Sequence, residues 1–140
     1  YDKFDLEHSH VFGATVNKIL HCKNGEIILW GDGSEERDLL YVSDLVDFVK
    51  LVIKKQNDPF CLVNIGYGSS ISITNLTNTM IKTANKDIRI AYDKSKPSIK
   101  VKLSLDCTKA KHLFGWEPKV ALKTGIQKTI VWYKSNTLIA

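Results

Sequence analysis

Glu26-Ile27-Ile28-Leu29-Trp30-Gly31-Asp32-Gly33-Ser34-Glu35-Glu36-Arg37-Asp38-Leu39-Leu40-Tyr41-Val42-Ser43-Asp44 decides the fold class, because strand, turn and helix signals follow one another within it. Glu26–Trp30 and Asp38–Val42 are short runs rich in β-formers, and Gly31-Asp32-Gly33-Ser34 between them is turn chemistry; the pattern predicts an extended pair joined by a loop. Ser43 then stands in an N-cap position. Asp44 and Asp47 in the first turn and Lys50, Lys54 and Lys55 toward the end predict a helix whose charges complement its dipole. Leu45, Phe48, Val49 and Val52 give that helix a core-facing stripe.

Upstream, Ser9 reads as the cap of a helix over about 10–22, with Phe12, Val16, Ile19 and Leu20 on one face and His10, Asn17, Lys18 and His21 on the other. Gly25 ends it. Downstream, Leu62-Val63-Asn64-Ile65 before Gly66 is a buried-strand pattern, and Ser72 caps a helix over about 73–84 with Leu76, Met80 and Ala84 on one side. Ile88–Tyr92 and Lys102–Leu105 read as strands, Thr108–Phe114 as a short helix and Leu122–Tyr133 as a final one. Gly125 inside that last helix costs about 1 kcal/mol relative to Ala, which points to close packing there.

The class is therefore α/β, a single domain over 1–140, with too few strands of βαβ spacing for a complete doubly wound sheet. The expectation is that a sheet outside this sequence completes the core. The opening Tyr1-Asp2-Lys3-Phe4-Asp5 carries no start methionine and no leader pattern, so the chain reads as part of something longer.

Bulk properties narrow the function classes. With 140 residues, 44% hydrophobic and 25% charged, the chain is ordinary globular protein, and no apolar run approaches the roughly 20 residues a spanning helix needs. Cys22, Cys61 and Cys107 are odd in number and widely spaced, which argues against a disulfide framework or a metal site and fits a reducing cytoplasm. Twenty basic against fifteen acidic residues give +5, an excess suited to a phosphate-bearing small molecule or to nucleic acid. Against nucleic acid, there is no Gly-x-x-Gly loop or RNP-like aromatic strand, and acids are interspersed among the bases.

Neither Gly31-Asp32-Gly33 nor Gly66-Tyr67-Gly68 continues to a third glycine at dinucleotide-binding spacing, since Glu36 and Ile71 stand there. No cofactor-binding residue is assigned. Tyr92 and Lys96 match Tyr-x-x-x-Lys, but Ile88–Tyr92 reads as a strand and Pro97 pushes Lys96 out of the α region, so the two would not share a helix face.

Ser9-His10-Val11, Trp30-Gly31-Asp32-Gly33, Arg37-Asp38, Tyr41-Val42-x-Asp44, Asn64-Ile65-Gly66, Ser95-Lys96-Pro97, Leu113-Phe114-Gly115-Trp116-x-Pro118 and Gly125-Ile126-x-x-Thr129-x-x-Trp132-Tyr133 follow one another in a collinear series. In that order they resemble the C-terminal, substrate-binding part of GDP-L-fucose synthases and related NAD(P)-dependent nucleotide-sugar epimerase/reductases, which are extended short-chain dehydrogenases. The resemblance implies an enzyme acting on a GDP- or other NDP-4-keto-deoxy sugar. It further implies NADP(H) held mainly by an N-terminal Rossmann domain, with no metal and no membrane, and a possible homodimer.

Residue by residue, the resemblance makes His10 the acid/base group of epimerisation. A helix start suits that role, because the dipole there favours the neutral imidazole; the alternative is a surface histidine. Lys18, two turns on and about 12 Å along the axis, becomes a phosphate contact or else a solvated lysine. Arg37 becomes the diphosphate clamp, or else the partner of Glu35 or Asp38 in a surface ion pair. Trp30 becomes a stacking surface for base or sugar, or else core. Asp106 and Trp116-x-Pro118 read as structural. After Ser95-Lys96-Pro97 the sequence departs from the family, with Ser98-Ile99-Lys100-Val101-Lys102-Leu103 replacing Asp-Gly-Thr-Pro-Arg-Lys. Lys102 takes the arginine's place with charge but no bidentate fork. A nucleotide-sugar-binding module without catalysis, or another NAD-dependent sugar epimerase or dehydratase, stays open beside the synthase reading.

Overall fold

Strand pairing between distant segments organises the molecule, whose computed structural model describes residues 3–96 and 101–137. The elements run α1 (Val11–His21), β1 (Glu26–Trp30), β2 (Glu36–Asp38), α2 (Val42–Lys55), β3 (Ser70–Ser72), α3 (Ile73–Thr83), β4 (Arg89–Asp93), α4 (Thr108–Phe114) and α5 (Leu122–Thr137). β1 pairs in parallel with β4, from Glu26 with Arg89 to Trp30 with Asp93, and β2 pairs antiparallel with β3. The two runs flanking Gly31–Gly33 thus do not pair with each other as expected, but enter separate two-stranded sheets.

Alternation along β1 turns Ile27 and Leu29 inward and leaves Ile28 and Trp30 exposed. On the inner side Val16 and Ile19 of α1, Leu76 and Met80 of α3, and Ile126, Ile130 and Tyr133 of α5 close the main core. A second, smaller core joins Phe48 of α2 to Ala110, Phe114 and Trp116, with both Phe48–Phe114 and Phe48–Trp116 packed edge to face at 5.5 and 5.3 Å. Trp116 is structural, as its sequence context indicated.

Two carboxylates tie the loops to this frame. Asp38 Oδ1 accepts from the Tyr67 amide at 2.6 Å, and its Oδ2 accepts from Gly68 at 3.0 Å and Leu105 at 3.1 Å. Asp44, buried at the start of α2, accepts from the Lys119 and Val120 amides at 3.1 and 2.9 Å and so fixes the segment entering α5. In α5, Gly125 faces the Tyr41 ring, which an added Cβ would meet at 3.2 Å; this is the close packing that its position in a helix called for.

Several local expectations are corrected. The second extended run lies at Glu36–Asp38 rather than Asp38–Val42, because α2 begins at Val42 with Tyr41 as its N-cap and no side chain capping it. Ser43 is therefore inside the helix, and only Asp44 occupies its first turn. Ser9 does not cap α1 either: His10 holds that position, and the Ser9 hydroxyl is buried without a hydrogen-bond partner. Leu62–Ile65 and Lys102–Leu105 form no strand, the latter contributing one parallel bridge from Lys102 to Glu36. Val63 and Ile65 nevertheless pack on the second core, and of the expected α2 stripe Leu45 and Val49 are exposed while Phe48 is buried. Ser72 does cap α3, accepting from the Asn75 amide at 3.2 Å.

Asp38 is half-buried and serves three amides at once, so Asp38→Ala should lower the free energy of unfolding by about 2–4 kcal/mol. Urea denaturation measures this; a change below about 0.5 kcal/mol would show that water replaces the carboxylate without penalty.

Candidate functional site

An open cleft of about 650 Å³ runs between the start of α1, the Leu39–Val42 turn and α5, and His10 sits at its mouth beside Phe4, Phe12, Tyr41 and Trp132. His10 is extended, with φ −71° and ψ 166°; its carbonyl accepts the first α1 hydrogen bond, from Ala14 at 3.0 Å. Its ring is exposed, so a group bound in the cleft has direct access to the imidazole. Largely apolar walls with an imidazole and a phenol among them are the composition of a small-molecule site.

The other sequence-selected residues lie on the strands. Trp30 ends β1 and is 57% exposed, so the core of this chain does not take it in. Lys18 is not simply solvated: its Nζ donates to the Ile28 carbonyl at 2.9 Å, two residues before Trp30, and burial pulls its pKa down. Arg37 donates from Nη1 to the Glu36 carbonyl at 2.9 Å, and its Nη2 lies 3.9 Å from Glu35. The Asp38 carboxylate is committed to backbone amides, so of the two acids proposed as partners Glu35 is the one nearby.

Lys102 stands 3.4 Å from Glu36 Oε2, which also accepts from Ser70. The Ser70 hydroxyl and then the Lys102 ammonium hold the Glu36 carboxyl below its usual range. Because Glu36 and Lys102 are bridge partners and side chains alternate along β2, Arg37 projects from the opposite face. The structure thus brings Lys18 and Trp30 together along β1 and places Arg37 and Lys102 on one strand pair but on opposite sides. His10 belongs to the cleft.

The glycine loops are built for other work than holding a dinucleotide. The carbonyls of Gly33 and Glu35 accept the first amides of α3, from Thr74 and Ile73, each at 3.0 Å. An added Cβ at Gly33 would fall 2.2 Å from Thr74 Oγ1, so this glycine permits the loop to press on that helix. In the second loop the Tyr67 and Gly68 amides, which a pyrophosphate would need, already bind Asp38. The described residues therefore do not fit a nicotinamide dinucleotide, and no reaction step is assigned to one here. Tyr92 and Lys96 also diverge: the Tyr92 hydroxyl meets Thr74 Oγ1 at 3.0 Å, whereas the Lys96 ammonium lies 5.8 Å above the Trp30 ring centre.

Asp106 accepts from the Thr108 amide at 2.9 Å and opens α4, the structural role read from sequence. Sequence reasoning missed the Asp38 hub and the Lys96–Trp30 contact. The Arg37-Asp38 pair was a signal for the first, but nothing local shows that one carboxylate reaches amides at 67, 68 and 105. The departure segment 98–100, with Pro97, lies outside the described residues. All three cysteines are free. Among the described residues no group of His, Cys, Asp and Glu is arranged to hold a metal, and no helix is long and apolar enough to cross a membrane.

This architecture is that of the C-terminal, substrate-side part of an extended short-chain dehydrogenase. A sequence profile described as GDP-mannose 4,6 dehydratase matches residues 9–129, and the chain belongs to that family. It is 34% identical over 136 residues to the GDP-L-colitose synthase of Yersinia pseudotuberculosis, covering 95% of this chain and 44% of that protein. It is 32% identical to a probable GDP-L-fucose synthase of Oryza sativa, covering 99% of this chain and 43% of the other. Among solved structures, the UDP-glucose 4-epimerase of Thermotoga maritima with UDP-glucose superposes with a TM-score of 0.82 at 29% identity, over 96% of this chain and 42% of that one. The dTDP-glucose 4,6-dehydratase of Bacillus anthracis in complex with NAD gives 0.74 at 27% identity, over 91% and 40%. The chain thus spans less than half the length of the proteins it matches.

With the Tyr67 and Gly68 amides taken by Asp38 and the Gly31 amide by the Asp93 carbonyl, calorimetric titration of this chain with NADPH should give no saturable heat. Tight binding would contradict that and would require one loop to release its present partners.

Proposed function

We propose that this chain is the nucleotide-sugar-binding portion of an NAD(P)-dependent epimerase/reductase acting on a GDP- or other NDP-4-keto-deoxy sugar. The observation that carries the reading is the position of His10, an exposed imidazole at the rim of an apolar cleft, in a chain similar to GDP-L-colitose and GDP-L-fucose synthases. In this reading the His10 imidazole takes the proton from the carbon beside the keto group, leaving an enolate. A proton returned to the opposite face inverts that centre. Arg37 clamps the diphosphate with its guanidinium fork, Trp30 stacks on base or sugar, and Lys18 and Lys102 add charge by leaving the Ile28 carbonyl and Glu36.

NADP(H) and the N-terminal Rossmann sheet belong, in the same reading, to the part of the enzyme outside this sequence. A surface suited to that sheet is present. Val42, Leu45, Val46, Val49 and Ile53 expose one apolar side of α2, and Phe60 and Leu62 are more than two-thirds exposed beside it in sequence. A helix apolar on two sides is one buried on two sides, here by the second core and by the missing sheet. The isolated chain should therefore bind a hydrophobic dye. Ile53→Lys with Val46→Lys should reduce that binding without lowering the melting temperature, because neither side chain is buried here; a lower melting temperature would mean that the face is already covered.

In the full-length enzyme the two principal residues should fail differently. His10→Ala should abolish solvent-deuterium incorporation beside the keto carbon while leaving substrate affinity within a few-fold. Arg37→Ala should raise the dissociation constant about tenfold or more, with Arg37→Lys recovering part of the loss. Exchange that survives His10→Ala, or an Arg37→Ala effect on turnover alone, would reject these roles.

A further inference from the structure

We propose that Lys96 is a further phosphate-binding residue, held beside the Trp30 ring so that the two form one platform for a nucleoside diphosphate. The inference rests on the nucleotide-sugar reading above and adds a residue to its site.

The placement of Lys96 is built rather than incidental. Trp30 and Asp93 are register partners at the ends of β1 and β4, so the turn after Asp93 emerges next to the indole. Asp93 then shapes that turn: its carboxylate accepts from the Ser95 amide at 3.0 Å and the Ser95 hydroxyl at 2.6 Å. Its carbonyl accepts from Gly31 at 2.9 Å, which stitches the turn to the loop leaving Trp30. The result is an ammonium 5.8 Å above the ring centre.

The charges around it differ in availability. Lys102 is paired with Glu36 and Arg37 lies near Glu35, whereas Lys96 is exposed and among the described residues has no ion pair. The acid closest in sequence, Asp93, already serves Ser95, which is the main reason its pKa is lowered; the Lys96 charge contributes less. Ile28, whose carbonyl Lys18 reaches, is exposed on the same side of the strand as Trp30. An aromatic and aliphatic surface with an ammonium above the ring matches a ligand with one flat ring and an adjacent diphosphate. An exposed cation–π contact is weak, so Lys96 can exchange the ring for phosphate oxygens at little cost.

The test compares two probes, GDP and guanosine, by equilibrium titration of the chain carrying Lys96→Ala, Lys96→Arg or Arg37→Ala. Lys96→Ala should weaken GDP by about 3- to 10-fold and leave guanosine unchanged or slightly tighter, since removing the ammonium uncovers the ring. Lys96→Arg should stay within about twofold for both, because charge and reach are kept. Melting temperatures should be unaffected. If Arg37→Ala weakens GDP while Lys96→Ala does not, the Lys96 assignment fails and the nucleotide-sugar reading survives. Equal weakening of GDP and guanosine by Lys96→Ala would also overturn it, as the lysine would then act on the ring alone. If none of GDP, UDP and dTDP binds the unaltered chain, or neither substitution changes the affinity of the one that does, both readings fall.

Discussion

The Asp38 carboxylate is the constraint on which the arrangement of the site depends. Three amides from two distant segments converge on it, at residues 67, 68 and 105, and those of Tyr67 and Leu105 would otherwise face a partly buried environment without this acceptor. Through Gly68 the carboxylate fixes the loop leading into β3, whose Ser70 pairs in register with Asp38 itself. Through Leu105 it fixes the segment that carries Lys102 alongside Glu36. Gly66 is part of the same joint, since an added Cβ would meet Asp38 Oδ2 at 2.8 Å and a Leu105 methyl at 3.0 Å. Arg37 is therefore presented from a strand anchored on both sides by the residue that follows it.

That joint also leaves the Gly66–Gly68 loop poorly suited to a dinucleotide. A glycine-containing loop binds pyrophosphate by leaving successive amides free, and here an internal carboxylate takes them. The Gly31–Gly33 loop is tied down differently, its Gly31 amide donating to the Asp93 carbonyl at 2.9 Å and its Gly33 carbonyl accepting from Thr74 at 3.0 Å. What remains for a ligand is side-chain chemistry: a ring at the end of β1, cations around it, a guanidinium on β2 and an imidazole at the cleft. Such groups are of the kind that grip phosphate and sugar and move a proton; in the proposed reading the redox chemistry falls to the part of the enzyme outside this sequence.

Legibility of the sequence followed the range of the forces involved. The helices α3 and α4 are delimited by neighbours in the chain, Ser72 capping one and Gly115 at φ 67° ending the other, and both were readable to within a residue or so. Leu39-Leu40-Tyr41-Val42 misled because its β-rich composition satisfies a strand propensity, while Asp44 and the Tyr41–Gly125 contact, both acting over long range, set the start of α2. Leu62–Ile65 has the composition of a central strand but finds no strand partner among the described residues. For the candidate site, the choice of residues rests on the family pattern. Their grouping was not legible, since the burial of Lys18 against β1 and the stacking of Lys96 on Trp30 arise from packing between segments far apart in sequence.

The most direct test of a nucleotide-diphosphate site on these strands is a nitrogen-15 chemical-shift titration of the chain with GDP. The expected result is that the Trp30 indole, the Arg37 side chain and the amides of residues 30–37 shift together and saturate, while Tyr67 and Gly68 stay in place. Shifts centred on the Gly66–Gly68 loop, or scattered across the surface without saturation, would contradict it.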